Sequence, residues 1–140
     1  MLTYRKAKTD KDFSYIASLF NPKNNRYMWN KKYTPWQVKQ TVGKNRIHYI
    51  VVSEGKPVGW FNLRWPPNRC EILLGMIIDK PYQGKGYGKK TLEFVSQETK
   101  KLGIKKLRLE VFLENKRAIN LYKKAGFLPT QKLMAMEKKL

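Results

Sequence analysis

The chain changes hydrophobic rhythm several times, and each change predicts an element. Leu2 to Ala7 reads as a first strand. From Thr9 or Asp10, either of which can cap a helix, Phe13, Ile16, Ala17 and Phe20 recur at helical spacing. NPKNNRYMWNKKY is polar with embedded aromatics and predicts a loop. Thr34-Pro35 opens a short helix with Pro at its first position, and Gly43 lies beyond its end. Arg46 to Ser53 (RIHYIVVS) and Val58 to Trp65 (VGWFNLRW) predict two strands, joined through EGKP as a hairpin. Pro66-Pro67-Asn68 breaks the chain again. Cys70 to Asp79 (CEILLGMIID) is almost wholly apolar, as a strand covered on both faces requires. Gly75 within it predicts a bulge or a close backbone approach.

The second half has a different order. After the segment IIDKPYQGKGYGKK, Leu92, Val95, Thr99 and Leu102 share one helical face, and Gly103 ends that helix. KKLRLEVF predicts a further strand. Asn115 caps a helix through Ala125, with Gly126 at its end, and KLMAMEKKL predicts a last strand. No repeat or linker divides the chain, so residues 1–140 read as one domain. The order implies a mixed α/β fold: an antiparallel first half, then a strand–helix–strand–helix unit with one parallel pairing.

Composition narrows the class. At 41% hydrophobic and 13% aromatic, the chain is too apolar to read as disordered. No run of eighteen apolar residues predicts a membrane span, and MLTYRKAKTDKDF lacks the apolar centre of a signal peptide. A cytoplasmic protein with no membrane partner is the expectation. The single Cys70 agrees, since it has no intramolecular partner. Thirty Lys and Arg against ten Asp and Glu give a net charge of +20. Such a surface attracts nucleic acid, ribosomes or phosphate-rich ligands. The basic residues are dispersed Lys for the most part, so a solvated face with no partner stays equally open. Oligomeric state has no signal in the sequence.

Gly84, Gly86 and Gly88 stand between the apolar strand and the next helix. Alternating glycines let successive N–H groups converge on one anion. The loop runs into a helix whose first N–H groups are unpaired and lie at the positive dipole end. Lys85, Lys89 and Lys90 add charge, and a phosphate or pyrophosphate is the natural guest. The Walker pattern is absent, and the dinucleotide spacing is wrong for a unit that follows a hairpin. A plain glycine-rich connection is the alternative.

Gln83-Gly84-Lys85-Gly86-Tyr87-Gly88 matches the Q/R-x-x-G-x-G/A signature of the GNAT N-acetyltransferase superfamily. Glu114 to Phe127 (ENKRAINLYKKAGF) resembles its second signature: an Asn, then Ala, then Leu-Tyr, then Gly-Phe. The resemblance is specific over Cys70–Phe127. It implies a mostly antiparallel, splayed sheet flanked by helices. Acetyl-CoA is the implied co-substrate and no metal is implied. By carry-over, backbone groups of Ile77 and Ile78 pair with pantetheine, beside Gln83. The N–H groups of Gly84, Lys85, Gly86, Tyr87, Gly88 and Lys89 hold the pyrophosphate. Asn115 contacts the cofactor arm, and Tyr122 sits near its sulfur. From the residues alone, Tyr122 shares the buried helical face of Ala118 and Ile119, and Asn115 already serves as an N-cap.

The implied reaction is direct transfer of acetyl to a primary amine. A base must take the amine proton, backbone N–H groups near Gly75–Ile78 would stabilise the oxyanion, and Tyr122 would protonate the thiolate. Glu71 is the first candidate base and Glu110 the second, with Asp79 also near. For any one of them a salt-bridged or solvated carboxylate is the more ordinary reading, and His48 reads as a half-buried strand residue. Tyr27, Trp29, Tyr33, Trp36, Trp60 and Trp65 are candidates for the acceptor site or plain packing. GMIIDKPYQGKGYGK resembles the loop of the polyamine acetyltransferase branch, yet +20 opposes a cationic acceptor unless Glu71, Asp79 and Glu110 reverse the sign locally. A protein N-terminus or lysine, on a nucleic-acid-bound protein for instance, is equally open, as is a longer acyl donor. The competing class is a basic GNAT-like module that binds nucleic acid or CoA without transfer.

Overall fold

The computed structural model describes residues 1–24, 32–43, 45–65, 71–130 and 136–139. Expectations that rest on Tyr27, Trp29, Pro66 to Cys70 and residues 131–135 lie outside the described residues.

Five strands make one open sheet whose spatial order follows the chain: β1 (Leu2–Lys6), β2 (Arg46–Ser53), β3 (Lys56–Arg64), β4 (Glu71–Ile78) and β5 (Lys106–Arg108). The first four are antiparallel, and β4–β5 is the one parallel pairing among the described residues. Helices α1 (Asp10–Leu19) and α2 (Pro35–Thr41) lie on one face. On the other lies α3 (Tyr87–Lys101), with α4 (Lys116–Lys124) beside it. This is the mixed, mostly antiparallel architecture that the order of elements implied.

The strands are apolar on both faces because both faces are covered. Ile50, Trp60 and Ile77 join Phe13, Ile16 and Leu19 of α1. Val51, Phe61, Ile72 and Leu74 join Leu92 and Val95 of α3. Burying each of these side chains contributes roughly 1.5–3 kcal/mol, so the two cores are the main source of stability.

Thr9, rather than Asp10, caps α1. Its hydroxyl accepts from the N–H of Asp12 at 3.1 Å, and Asp12 Oδ2 accepts from the Thr9 N–H at 3.2 Å. Arg5 of β1 closes on the same carboxylate with two bonds, at 2.8 and 3.0 Å. Those bonds hold the Asp12 carboxyl well below the usual carboxylate range. Helix α1 is thereby locked to the edge strand.

Of the two readings of Gly75, the close approach holds: register runs unbroken through it, and a Cβ would stand 2.6 Å from Asn62 Oδ1. A register irregularity lies instead in β2, between Val51 and Val52. Three expectations are corrected. Leu102 is exposed past the end of α3. The strand expected over KKLRLEVF is regular only from Lys106 to Arg108, because only those residues meet β4. Of the expected last strand, Met136–Lys139 has no regular structure.

His48 joins α2 to the sheet. The Trp60 indole N–H donates to His48 Nδ1 at 2.9 Å, and Thr41 Oγ1 lies 2.6 Å from Nε2. An indole only donates, so Nδ1 is the acceptor and Nε2 carries the proton. That N–H donates to Thr41, whose hydroxyl donates to the Val38 carbonyl at 2.6 Å. Burial, with Arg46 nearby, lowers the imidazole pKa from 6.5 to about 4. The folded value lies below the unfolded one, so protonation favours the unfolded chain. Stability is full above pH 6.5 and falls as pH drops toward 4, by up to about 3 kcal/mol. Asp12 adds its loss only below its ordinary pKa of 3.8. Urea unfolding at pH 7 and 4.5 should therefore show a loss of about 2–3 kcal/mol that His48→Gln abolishes; an unchanged pH slope in that variant would assign the loss elsewhere.

Candidate functional site

Strand β4 has neighbours on both edges only at its start. It pairs with β5 through Glu71↔Lys106, Ile72↔Leu107 and Leu73↔Arg108, then continues to Ile78 beside β3 alone among the described residues. The sheet is splayed from Leu74 onward. Hydrogen-bonded pairs alternate along the antiparallel ladder. The Asp79 N–H donates to the Val58 carbonyl at 2.9 Å, so alternation turns Ile77 and Gly75 toward β3 and Leu74, Met76 and Ile78 toward the opening. Gly59 agrees, since a Cβ there would stand 2.7 Å from the Ile77 carbonyl oxygen. The opening is thus edged by Met76 and Ile78. Ile77, expected to offer its backbone there, offers it to β3 and its side chain to the α1 core. Gln83 Nε2 donates to the Ile78 carbonyl at 2.8 Å.

The glycine loop follows directly. Asp79 caps a short 3-10 turn, Lys80–Tyr82, and Gly84 and Gly86 then take left-handed φ of 81° and 82°. An L side chain at either position would be strained. Gly86 is the N-cap of α3, and no side chain caps it. From Gly84 through Lys89, no backbone N–H has an acceptor among the described residues. Free N–H groups in succession, left-handed glycines and a bare helix start form an anion nest. Lys85, Lys89 and Lys90 are exposed around it. These groups fit a pyrophosphate. Tyr87 contributes its N–H to the loop, while its hydroxyl meets Ser53 Oγ at 3.1 Å and ties the helix start to β2.

Gly88 is there for a different reason. Its φ is ordinary, but a Cβ would stand 3.0 Å from Leu121 Cδ2 and 3.9 Å from Met76 Cε. Glycine lets α4 close on the start of α3 beside the opening. Asn115 Oδ1 accepts from the Ala118 N–H at 3.3 Å and caps α4. Arg117, in the first turn, sends Nη1 to Gln83 Oε1 at 3.4 Å, and Nη2 lies 3.7 Å from the Cβ position of Gly84. The sequence reading assigned Arg117 no role; only the docking of α4 brings this guanidinium to the nest. Tyr122 packs on the α3-side core and meets the Phe127 ring edge-on at 5.9 Å. Burial pushes its phenol above the ordinary value, so it keeps its proton at neutral pH.

The carboxylates divide. Glu71 bonds Arg108 Nη1 at 2.8 Å. It stands about 20 Å along the strand from Ile77, in the paired part of the sheet. Glu110 is exposed, two residues past the last paired residue of β5. Asp79 is half-buried at the end of β4. Among the aromatics, Trp60 is core and Tyr33 packs edge-on against Phe20 at 4.8 Å. Trp65 lies against the α3-side core, and Trp36 is exposed on α2.

A splayed strand, an uncapped helix start behind left-handed glycines and a docked tyrosine helix are now in place together. The sequence profile of the acetyltransferase (GNAT) family matches residues 11–127. The chain belongs to this family. An uncharacterized N-acetyltransferase of Bacillus subtilis, YycN, is 35% identical over 94 residues, covering 65% of this chain and 59% of that protein. The [ribosomal protein bS18]-alanine N-acetyltransferase of Escherichia coli is 40% identical over 96 residues, 66% of this chain and 64% of that one. The chain thus spans about three-fifths of the length of these curated relatives. The crystal structure of the GNAT domain of S. lividans PAT superposes with a TM-score of 0.79 over 94% of this chain and 84% of that one. At 15% identity this likeness concerns the fold alone.

The double role of the glycines is testable. Gly88→Val should destabilise the GNAT fold by about 1–3 kcal/mol through Leu121. Adding Leu121→Ala should recover part of that loss, so a denaturation cycle on the two sites should be non-additive. Simple additivity would mean that α3 and α4 do not meet there.

Proposed function

We propose that this chain is an N-acetyltransferase that moves acetyl from acetyl-CoA to a primary amine by direct transfer. The observation that carries this reading is the row of free N–H groups from Gly84 to Lys89 beginning where β4 loses its outer neighbour. The nest would hold the pyrophosphate, with Lys85, Lys89 and Arg117 adding charge. The pantetheine arm would run along the free edge of Met76 and Ile78 as a stand-in for the missing strand, near Gln83 and Asn115. The Met76 N–H would donate to the thioester carbonyl oxygen as charge builds on it.

Glu110 would take the amine proton, directly or through water. Glu71 is less suited, because its carboxylate is committed to Arg108. The amine nitrogen bonds to the carbonyl carbon, the C–S bond breaks, and Tyr122 gives the departing sulfur its proton. The protonated, buried phenol supports that role. We place the protein in the cytoplasm; among the described residues no helix is long and apolar enough to cross a membrane. The bS18-alanine relative adds a ribosomal protein α-amine to the acceptors to be tried, and the +20 charge suits an acceptor held on nucleic acid. The same charge also supports the second reading, a basic binding module without transfer.

Calorimetric titration with acetyl-CoA separates the two. Micromolar binding is expected for wild type and none for Gly86→Glu, which puts a carboxylate into the nest. Tyr122→Phe should lower kcat at least tenfold while leaving the acetyl-CoA Kd within about threefold. No binding by folded wild type would refute the transferase, and an unchanged kcat under rate-limiting chemistry would remove Tyr122 from the acid role.

A further inference from the structure

Tyr15 of α1 has its hydroxyl oxygen buried with no hydrogen-bond partner among the described residues. Buried hydroxyls are nearly always satisfied, so an orphan marks a place where something else belongs. Burial raises this phenol above its ordinary value, and the nearby Asp79 carboxylate and Tyr82 phenol raise it further. Tyr15 packs against the α1-side core that holds Ile77; Asp79, two residues further along, lies on the same face of the strand, and its carboxylate is bonded by Asn24 just past the end of α1.

Asp79 is anomalous in the same place. Asp10, Asp12, Glu54, Glu71 and Glu98 each have a cationic partner. Glu93, Glu110, Glu114 and Glu137 are exposed. Among the described residues Asp79 alone is half-buried without a cation, in a chain with thirty Lys and Arg. Its Oδ1 accepts from Asn24 Nδ2 at 2.9 Å and from the Lys80 N–H at 3.0 Å. Asn24 Oδ1 in turn accepts the Lys80 N–H at 2.9 Å. The carboxylate is thus fixed by its inner oxygen, and Oδ2 has no partner of its own among the described residues.

We propose that Tyr15 and Asp79 form an ammonium-binding corner that anchors a second, protonated amine of the acceptor. This rests on the transferase reading above. An amine held by a carboxylate stays charged and cannot attack a thioester, so the anchored amine is not the one acetylated. Asp79 lies about 10 Å along β4 from Met76. An acceptor with two amines at such a spacing meets both places at once. Two sources offer that chemistry: a free polyamine, or a peptide whose α-amine is followed by a lysine. Both residues are specificity residues, acting on the acceptor and not on the acetyl donor.

Asp79→Asn keeps the inner oxygen for Asn24 and Lys80 and removes the charge. Tyr15→Phe removes only the hydroxyl. Spermidine, an Ala-Gly-Lys peptide and propylamine serve as probes, by calorimetry on the protein alone and as acceptors in turnover. Asp79→Asn should weaken spermidine or the peptide about tenfold or more in Kd and KM. Propylamine KM and the acetyl-CoA Kd should stay within about twofold. Which of the two probes responds identifies the source. Tyr15→Phe should weaken the same probe while holding or raising the Tm, since an orphan hydroxyl is lost. Equal weakening of propylamine, no change in either diamine probe, or a Tm that falls in Tyr15→Phe would each overturn the corner. The calorimetry needs no turnover, so failure of the transferase reading, seen as absent acetyl-CoA binding, stays separate.

Discussion

Everything at the candidate site depends on β4 having, among the described residues, two strand neighbours for only three positions. Beyond Leu73, the described residues leave one edge of a strand in the middle of the sheet with unpaired N–H and C=O groups. A buried polar edge is unfavourable unless something bonds it. The fold meets part of that demand with Gln83, which bonds the Ile78 carbonyl. The remaining groups need an extended chain with amide bonds, and a pantetheine arm is of that kind. The opening is therefore a strand position that the described residues leave empty.

The helices on the α3 side are arranged around the same gap. Helix α3 starts without a side-chain cap, so its first N–H groups stand free just beyond the end of β4. Helix α4 can reach that start only because Gly88 has no side chain to hold Leu121 away. Once docked, α4 brings Arg117 to Gln83 and Tyr122 to the core beside the splay. Arg117, Gln83 and the Ile78 carbonyl then form a chain from the second signature, through the first, to the open edge. The two signatures are far apart in sequence and form one surface because a glycine permits the contact.

This explains what the sequence made legible. The order of elements and the two-sided burial of β2 to β4 follow from runs of apolar residues, since both are local patterns. The glycine nest was legible because positive φ selects glycine wherever it occurs. The extent of β5 was not: KKLRLEVF has strand composition throughout, but only Lys106 to Arg108 pairs with β4. The Glu71–Arg108 bond and the edge that the Ile77 backbone serves were not legible either, for related reasons. Alternation puts a residue on a face but says nothing of Arg108 on the next strand. It also leaves open which edge each backbone group serves, and that is decided by the register with β3. Arg117 and Tyr15 carry no local pattern at all. One is placed by helix docking, the other by what it fails to touch.

Charge then has two ranges, and they act in opposite directions. At a distance the +20 surface repels a cationic acceptor, and salt damps that repulsion beyond about 8–10 Å. Within contact range, an unpaired carboxylate in a partly desolvated corner outweighs scattered lysines, because interaction strengthens with proximity and with loss of water. Arrival of a phosphate-rich donor at the nest also lowers the net positive charge beside the opening. On this reading the basic surface is matched to the donor and Asp79 to the acceptor, and a bound donor makes the approach of the acceptor easier. The same surplus of lysine that argues against an amine substrate, taken over the whole molecule, is compatible with one when the charges are taken site by site.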